Sequence, residues 1–117
     1  MFEFKKITLP ESLTEISDVV FSGCNSLTEI TIPNSVIKIG AGAFSGCVGF
    51  TSFSIPGGVI SIDENAFSGC SNLEKFILGD NVASIGEGVF NYCDALEEFV
   101  VSINMHYIRM LLPDVKT

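Results

Sequence analysis

Leu27-Thr28-Glu29-Ile30-Thr31-Ile32-Pro33-Asn34-Ser35-Val36-Ile37-Lys38-Ile39-Gly40-Ala41-Gly42-Ala43-Phe44-Ser45-Gly46-Cys47-Val48-Gly49 is one unit of a pattern that the chain repeats every 23 residues. Cys24, Cys47, Cys70 and Cys93 keep that spacing, as do Phe21, Phe44, Phe67 and Phe90, and Ile16, Ile39, Ile62 and Ile85. Four further apolar columns share the phase: Leu13/Val36/Val59/Val82, Ile7/Ile30/Phe53/Phe76/Phe99, Leu9/Ile32/Ile55/Leu78/Val101 and Phe4/Leu27/Phe50/Leu73/Leu96. Pro10, Pro33 and Pro56 form another column, which becomes Gly79 in the last full unit. Units therefore begin at residues 4, 27, 50 and 73, with a partial one at 96. A fixed period of this length marks a stacked-coil architecture.

Within a unit, the alternation Ile30-x-Ile32 is the period of a short half-buried strand. Pro33 has no N–H for a ladder and suits the strand's exit. Val36-x-x-Ile39-Gly40 reads as a second short extended or turning segment with two inward side chains. Ala43-Phe44-Ser45-Gly46-Cys47 reads as one tight helical turn or bend, with Phe44 and Cys47 on the same side. A lone coil buries too little apolar surface to offset the entropy of ordering its backbone, so neighbouring coils must supply the rest. Stacking does this by running the strands into an in-register parallel sheet about 4.8 Å apart and by piling like residues into ladders.

Composition narrows the partners. With 14 acidic against 6 basic side chains the formal charge is −8. Binding to nucleic acid or anionic lipid needs clustered Lys and Arg, and here only Lys5 and Lys6 are adjacent. No apolar run approaches the ~20 residues of a membrane helix. Met1-Phe2-Glu3-Phe4-Lys5-Lys6 is not the opening of a secretory signal, which leaves two readings: an intracellular protein, or a signal absent from this chain.

The string Leu-x-x-Ile-x-Ile-Pro-x-x-Val-x-x-Ile-Gly-x-x-Ala-Phe-x-x-Cys, read from Leu27, resembles the leucine-rich repeat of the BspA type, also found in a treponemal protein. The resemblance covers residues 4 to about 101. It implies a β-rich α/β repeat fold: a right-handed solenoid with a parallel β-sheet on its concave face and short turns or helical turns on the convex side. The buried Asn of the commonest leucine-rich repeat is not reproduced, so no asparagine ladder is expected. The resemblance also implies a cell-surface or secreted setting, a host or matrix surface protein as partner, and no catalytic residues.

The chemistry-bearing residues read accordingly. Four cysteines 23 apart form one column with parallel side-chain vectors, which suits reduced, buried thiols better than disulfides, whose sulfurs need a ~90° dihedral. No Cys-x-x-Cys pair exists and His106 lies outside the column, so neither zinc nor any other cofactor is expected. His106 has no Ser, Cys or Asp column placed to make it a general base. The recurring glycines, Gly23, Gly46 and Gly69 before cysteine and Gly40 and Gly86 after isoleucine, fit turn geometry better than phosphate binding. Hydrolysis of glycans would need paired carboxylates aimed at one cleft, whereas the acidic residues are spread over outer turns.

The outward strand positions remain as the candidate protein-binding face. They are Lys6, Glu29, Ser52, Lys75 and Glu98 in one row, and Thr31, Ser54, Ile77 and Val100 in another, with Ile77 and Val100 expected to form a small exposed apolar strip. The expected function is a non-enzymatic protein-binding module of adhesion type. The alternative is a structural spacer or capping fragment of a larger repeat protein.

The chain is read as one domain, 1–117, in which 102–117 caps the last coil. The apolar spacing from Ile103 to Pro113 predicts a short helix there. At the other end only Met1 to Glu3 precede the first repeat strand, too few for a cap. The first coil is expected either to be cut from a longer array or to be buried by a second copy in a homodimer.

Overall fold

The computed structural model describes residues 5–101 in full and, as backbone, 102–103 and 106–111. Ten strands follow one another: β1 Lys6–Thr8, β2 Glu15–Ile16, β3 Glu29–Thr31, β4 Lys38–Ile39, β5 Ser52–Ser54, β6 Ser61–Ile62, β7 Lys75–Leu78, β8 Ser84–Ile85, β9 Glu98–Ile103 and β10 His106–Leu111. The coils stack as a parallel-strand solenoid, and the described residues contain no helix.

Each coil carries two strands, not one. Strands β2, β4, β6 and β8 form a continuous parallel side sheet in which Ile16, Ile39, Ile62 and Ile85 stand in register. The second segment of the unit is therefore a true if short strand at Lys38–Ile39, and Ile16, Ile39 and Ile62 are buried on it while Ile85, in the last full coil, is exposed.

Odd-numbered strands form the front. Here β1 pairs with β3, and β5 with β7 and β7 with β9, always parallel and at the 23-residue register. Between β3 and β5 the ladder is broken.

On the third wall the backbone alternates its hydrogen bonds. Phe21, Gly23, Phe44 and Gly46 donate N–H to Ala43, Ser45, Ala66 and Ser68 of the next coil at 2.7–2.9 Å, while Ser22, Cys24, Ser45 and Cys47 donate to carbonyls three residues back. A helix would keep all these bonds within the segment. Sending every second one to a neighbour explains why, of the helical turn or bend expected here, the segment forms the bend. The alternation uses left-handed backbone at Gly23, Gly46 and Gly69 (φ 74°, 74° and 78°), where glycine meets no steric cost.

The core is two stacks of rings set edge to face. Phe21, Phe44, Phe67 and Phe90 stack with centroids 5.4, 5.3 and 6.4 Å apart. Phe53, Phe76 and Phe99 stack at 6.2 and 5.9 Å. The stacks mesh through T-shaped contacts such as Phe53–Phe67 at 4.7 Å and Phe76–Phe90 at 4.8 Å, the arrangement ring quadrupoles favour.

Two expectations are corrected. The segment after Val101 is not helical: β9 continues to Ile103, and β10 returns antiparallel along it, pairing His106 with Ile103 through to Leu111 with Glu98. The spacing-3 pattern of apolar residues lost to the demand of β9's free edge, which a strand satisfies with backbone hydrogen bonds and a helix cannot. Secondly, turn geometry is not what demands glycine at 40 and 86, although the Gly40 carbonyl does accept the turn bond from Ala43 N–H at 3.2 Å. A Cβ on Gly40 would lie 2.7 Å from the Ile16 carbonyl oxygen, and one on Gly86 2.4 Å from the Glu64 nitrogen, so both are glycine because adjacent coils touch there. Met1 to Phe4 and the side chain of His106 lie outside the described residues.

Candidate interaction surface

The thiol column is built as the sequence suggests, and it makes one kind of bond the sequence does not show. All four cysteines are free; Cys47, Cys70 and Cys93 are buried and Cys24 half-buried. Each buried thiol donates to a phenylalanine carbonyl 26 residues earlier: Cys47 to Phe21 at 3.0 Å, Cys70 to Phe44 at 3.2 Å and Cys93 to Phe67 at 3.1 Å. These S–H bonds tie each coil to the one before it. Burial pushes Cys47 and Cys93 up to about 11 and Cys70 up to about 12, its neighbours Cys93 and Cys47 adding to the effect. At neutral pH the thiols are protonated and therefore poor nucleophiles or metal ligands. Among the described residues no group of three or more His, Cys, Asp and Glu side chains is placed to hold a metal ion.

The front sheet divides the candidate residues into two groups. Lys6 stands beside Glu29 in register, with Nζ 4.0 Å from Oε2 and both side chains largely in solvent. Ser52, Lys75 and Glu98 are adjacent rungs of the other part, as are Ser54, Ile77 and Val100. Lys6, Glu29, Thr31, Ser52 and Ser54 are exposed; Lys75, Ile77 and Glu98 are half-buried. Val100 is only 7% exposed, so the expected apolar strip of Ile77 and Val100 does not stand open. With Ile77 on one side and β10 paired along the other, Val100 sits inside the sheet instead of at its edge.

The rows are interrupted between Glu29 and Ser52. In other coils the first rung is Thr28 N–H to Lys5 O at 2.9 Å, Glu74 to Thr51 at 2.8 Å and Glu97 to Glu74 at 3.0 Å; Thr51 makes no such bond to Thr28. The cause lies in the core columns. Ile7 and Ile30 are aliphatic, whereas Phe53, Phe76 and Phe99 form the ring stack, so the break falls where isoleucine must meet phenylalanine. The third coil is also the one that carries Phe at both front positions. Phe50 and Phe53 meet edge to face at 4.9 Å, and Phe53 leans 5.1 Å from Phe44. Two rings in one layer hold β5 off β3. A cleft of about 200 Å3 results, lined by Thr28, Glu29, Ile30, Phe50, Ser52, Phe53 and Ser54. The break was not foreseen, although the switch from Ile30 to Phe53 is visible in the columns. A second depression, about 380 Å3 and shallow, lies against the outer strands of the side sheet beside Asp63, Glu64 and Glu87.

Comparison with known proteins follows the same lines. The model of the BspA type leucine-rich repeat region matches residues 1–111 in six copies. Among solved structures, the pneumococcal vaccine antigen PcpA superposes with a TM-score of 0.80 at 25% identity, over 87% of this chain and 25% of that one. The leucine-rich repeat protein TpLRR of T. pallidum superposes with a TM-score of 0.52 at 29% identity, over 75% of this chain and 52% of that one. The chain thus spans a quarter of the first and about half of the second. No curated protein matches it. A 23-residue period, stacked parallel strands and this match over nearly the whole length lead to one conclusion: the chain belongs to the BspA-type leucine-rich repeat family.

Proposed function

We propose that the chain is a non-enzymatic protein-binding module of the adhesion type, displayed at a cell surface and using the front sheet to hold a host or matrix surface protein. The observation that carries this reading is the front face itself. Lys6, Glu29, Thr31, Ser52 and Ser54 are exposed on strands whose inward neighbours do the packing, so their side chains are available to a partner. Lys75, Ile77 and Glu98 extend that face toward the last coil. The likeness to a vaccine antigen of pneumococcus supports a surface setting.

The test is binding of the chain to immobilised matrix proteins and to intact host cells, compared with a Lys75→Glu, Ile77→Arg double variant. Loss of binding with unchanged thermal stability supports the module. Binding that is absent from the start, or unchanged in the variant, favours the spacer reading, in which the array's length matters and its face does not.

A further inference from the structure

The broken rung between β3 and β5 leaves two strand edges facing each other across a cleft, in a fold whose other walls are hydrogen-bonded from coil to coil. We propose that this cleft is an acceptor for an extended segment of a partner protein, carrying one leucine- or phenylalanine-sized side chain with a basic residue beside it. This rests on the protein-binding reading above and narrows it to one place and one chemistry.

Size sets the first limit. An apolar cavity of about 150 Å3 admits benzene, so about 200 Å3 takes one ring or one branched aliphatic group. It falls short of the ~300 Å3 at which small-molecule sites begin. The inner wall is apolar, from Ile30, Phe50 and Phe53, and the rim carries Ser52, Ser54 and Glu29. An apolar floor under a polar rim is the form of a pocket for a single anchoring side chain.

The edges set the second limit. β3 and β5 are not bonded to one another, so the backbone of each presents ladder groups to the cleft, and a strand edge in that state recruits an extended peptide. Charge sets the third. Glu29 stands at the rim, where among the described residues its ion pair is with an exposed lysine at 4.0 Å, on a chain of net charge −8. A partner's lysine or arginine next to the anchor replaces that weak contact and is drawn in by the overall field.

The test is an NMR titration of the whole chain with a capped pentapeptide of threonine, lysine, phenylalanine, lysine and threonine in that order. Amide signals of residues 28–31 and 51–54 are expected to shift. Affinity is expected to fall about tenfold when alanine replaces the phenylalanine, through loss of one buried ring. Ile30→Phe continues the ring stack of Phe53 and Phe76; it is expected to restore the missing rungs, slow amide exchange at 51–54 and abolish peptide binding. Glu29→Gln, an exposed change that leaves the fold alone, is expected to weaken binding severalfold.

Absence of shifts at millimolar peptide, or undiminished binding by Ile30→Phe, overturns the proposal. So does equal affinity for blocked phenylalanine amide, which would make the cleft a pocket for a small aromatic molecule. Shifts confined to Lys75–Leu78 would sink the cleft and leave the broader front-face reading standing. Cleft binding without any attachment to cells or matrix would do the reverse.

Discussion

Tyr92 occupies the place that Gly23, Gly46 and Gly69 hold in the other coils, and it keeps their left-handed backbone with φ 62°. A side chain in that region costs about 1–2 kcal/mol, and Tyr92 is 61% exposed, so packing returns little of it. Tyr92→Gly should therefore raise the melting temperature by a few degrees, measured by calorimetry. The two kinds of glycine should also behave differently when changed to alanine. At Gly23 a Cβ meets nothing within 4 Å and only the left-handed φ is penalised, whereas at Gly40 it would press on the Asp18 and Ile16 backbone. Gly40→Ala is expected to cost about 1–3 kcal/mol more than Gly23→Ala in denaturant titrations. Position alone did not separate these two classes in the sequence, because both recur near an apolar residue. Only the distance between coils does.

The ladders make different demands. Phe67 is fully buried and has ring contacts with Phe44, Phe53, Phe76 and Phe90, members of both stacks. Phe67→Ala is expected to lose about 3–5 kcal/mol, against a smaller loss for Phe21→Ala, where the ring is half-buried and has Phe44 on one side. The thiol ladder predicts alkaline sensitivity. Cys47, Cys70 and Cys93 titrate near 11 to 12 in the folded chain and the ordinary value is 9. Above pH 9 the unfolded chain gives up protons that the folded chain holds, so stability is fully present below pH 9 and falls as pH rises through 11 to 12. Chemical denaturation at pH 7, 9 and 10.5 checks this. A Cys47→Val, Cys70→Val, Cys93→Val variant should show a shallower decline over the same range.

Much of the element plan could be read from Ile30-x-Ile32 and from the Phe, Ile and Cys columns, since a repeated inward side chain leaves few alternatives. What escaped was decided by hydrogen bonds between coils. The 103–113 stretch has helix-like spacing, but β9 offered an unpaired edge, and the chain formed β10 against it. The same pairing put Val100 under cover, which reading outward positions one strand at a time does not reveal.

Taken as a whole, the molecule is a stack in which nearly every coil-to-coil step is bonded on all walls. Its candidate face was legible as a row of outward positions; its division into Lys6–Glu29 and Ser52–Lys75–Glu98 was not, because a mismatch of ring and aliphatic side chain acts through the core. The division has a mechanical side. Between the second and third coils the side sheet and the turn wall hold, through Ile60 N–H to Ile37 O at 2.8 Å and Phe44 N–H to Ala66 O at 2.8 Å, while the front is open. The solenoid is hinged like a book, with a sewn spine opposite a loose fore-edge, and a load that flexes it will part the pages there first.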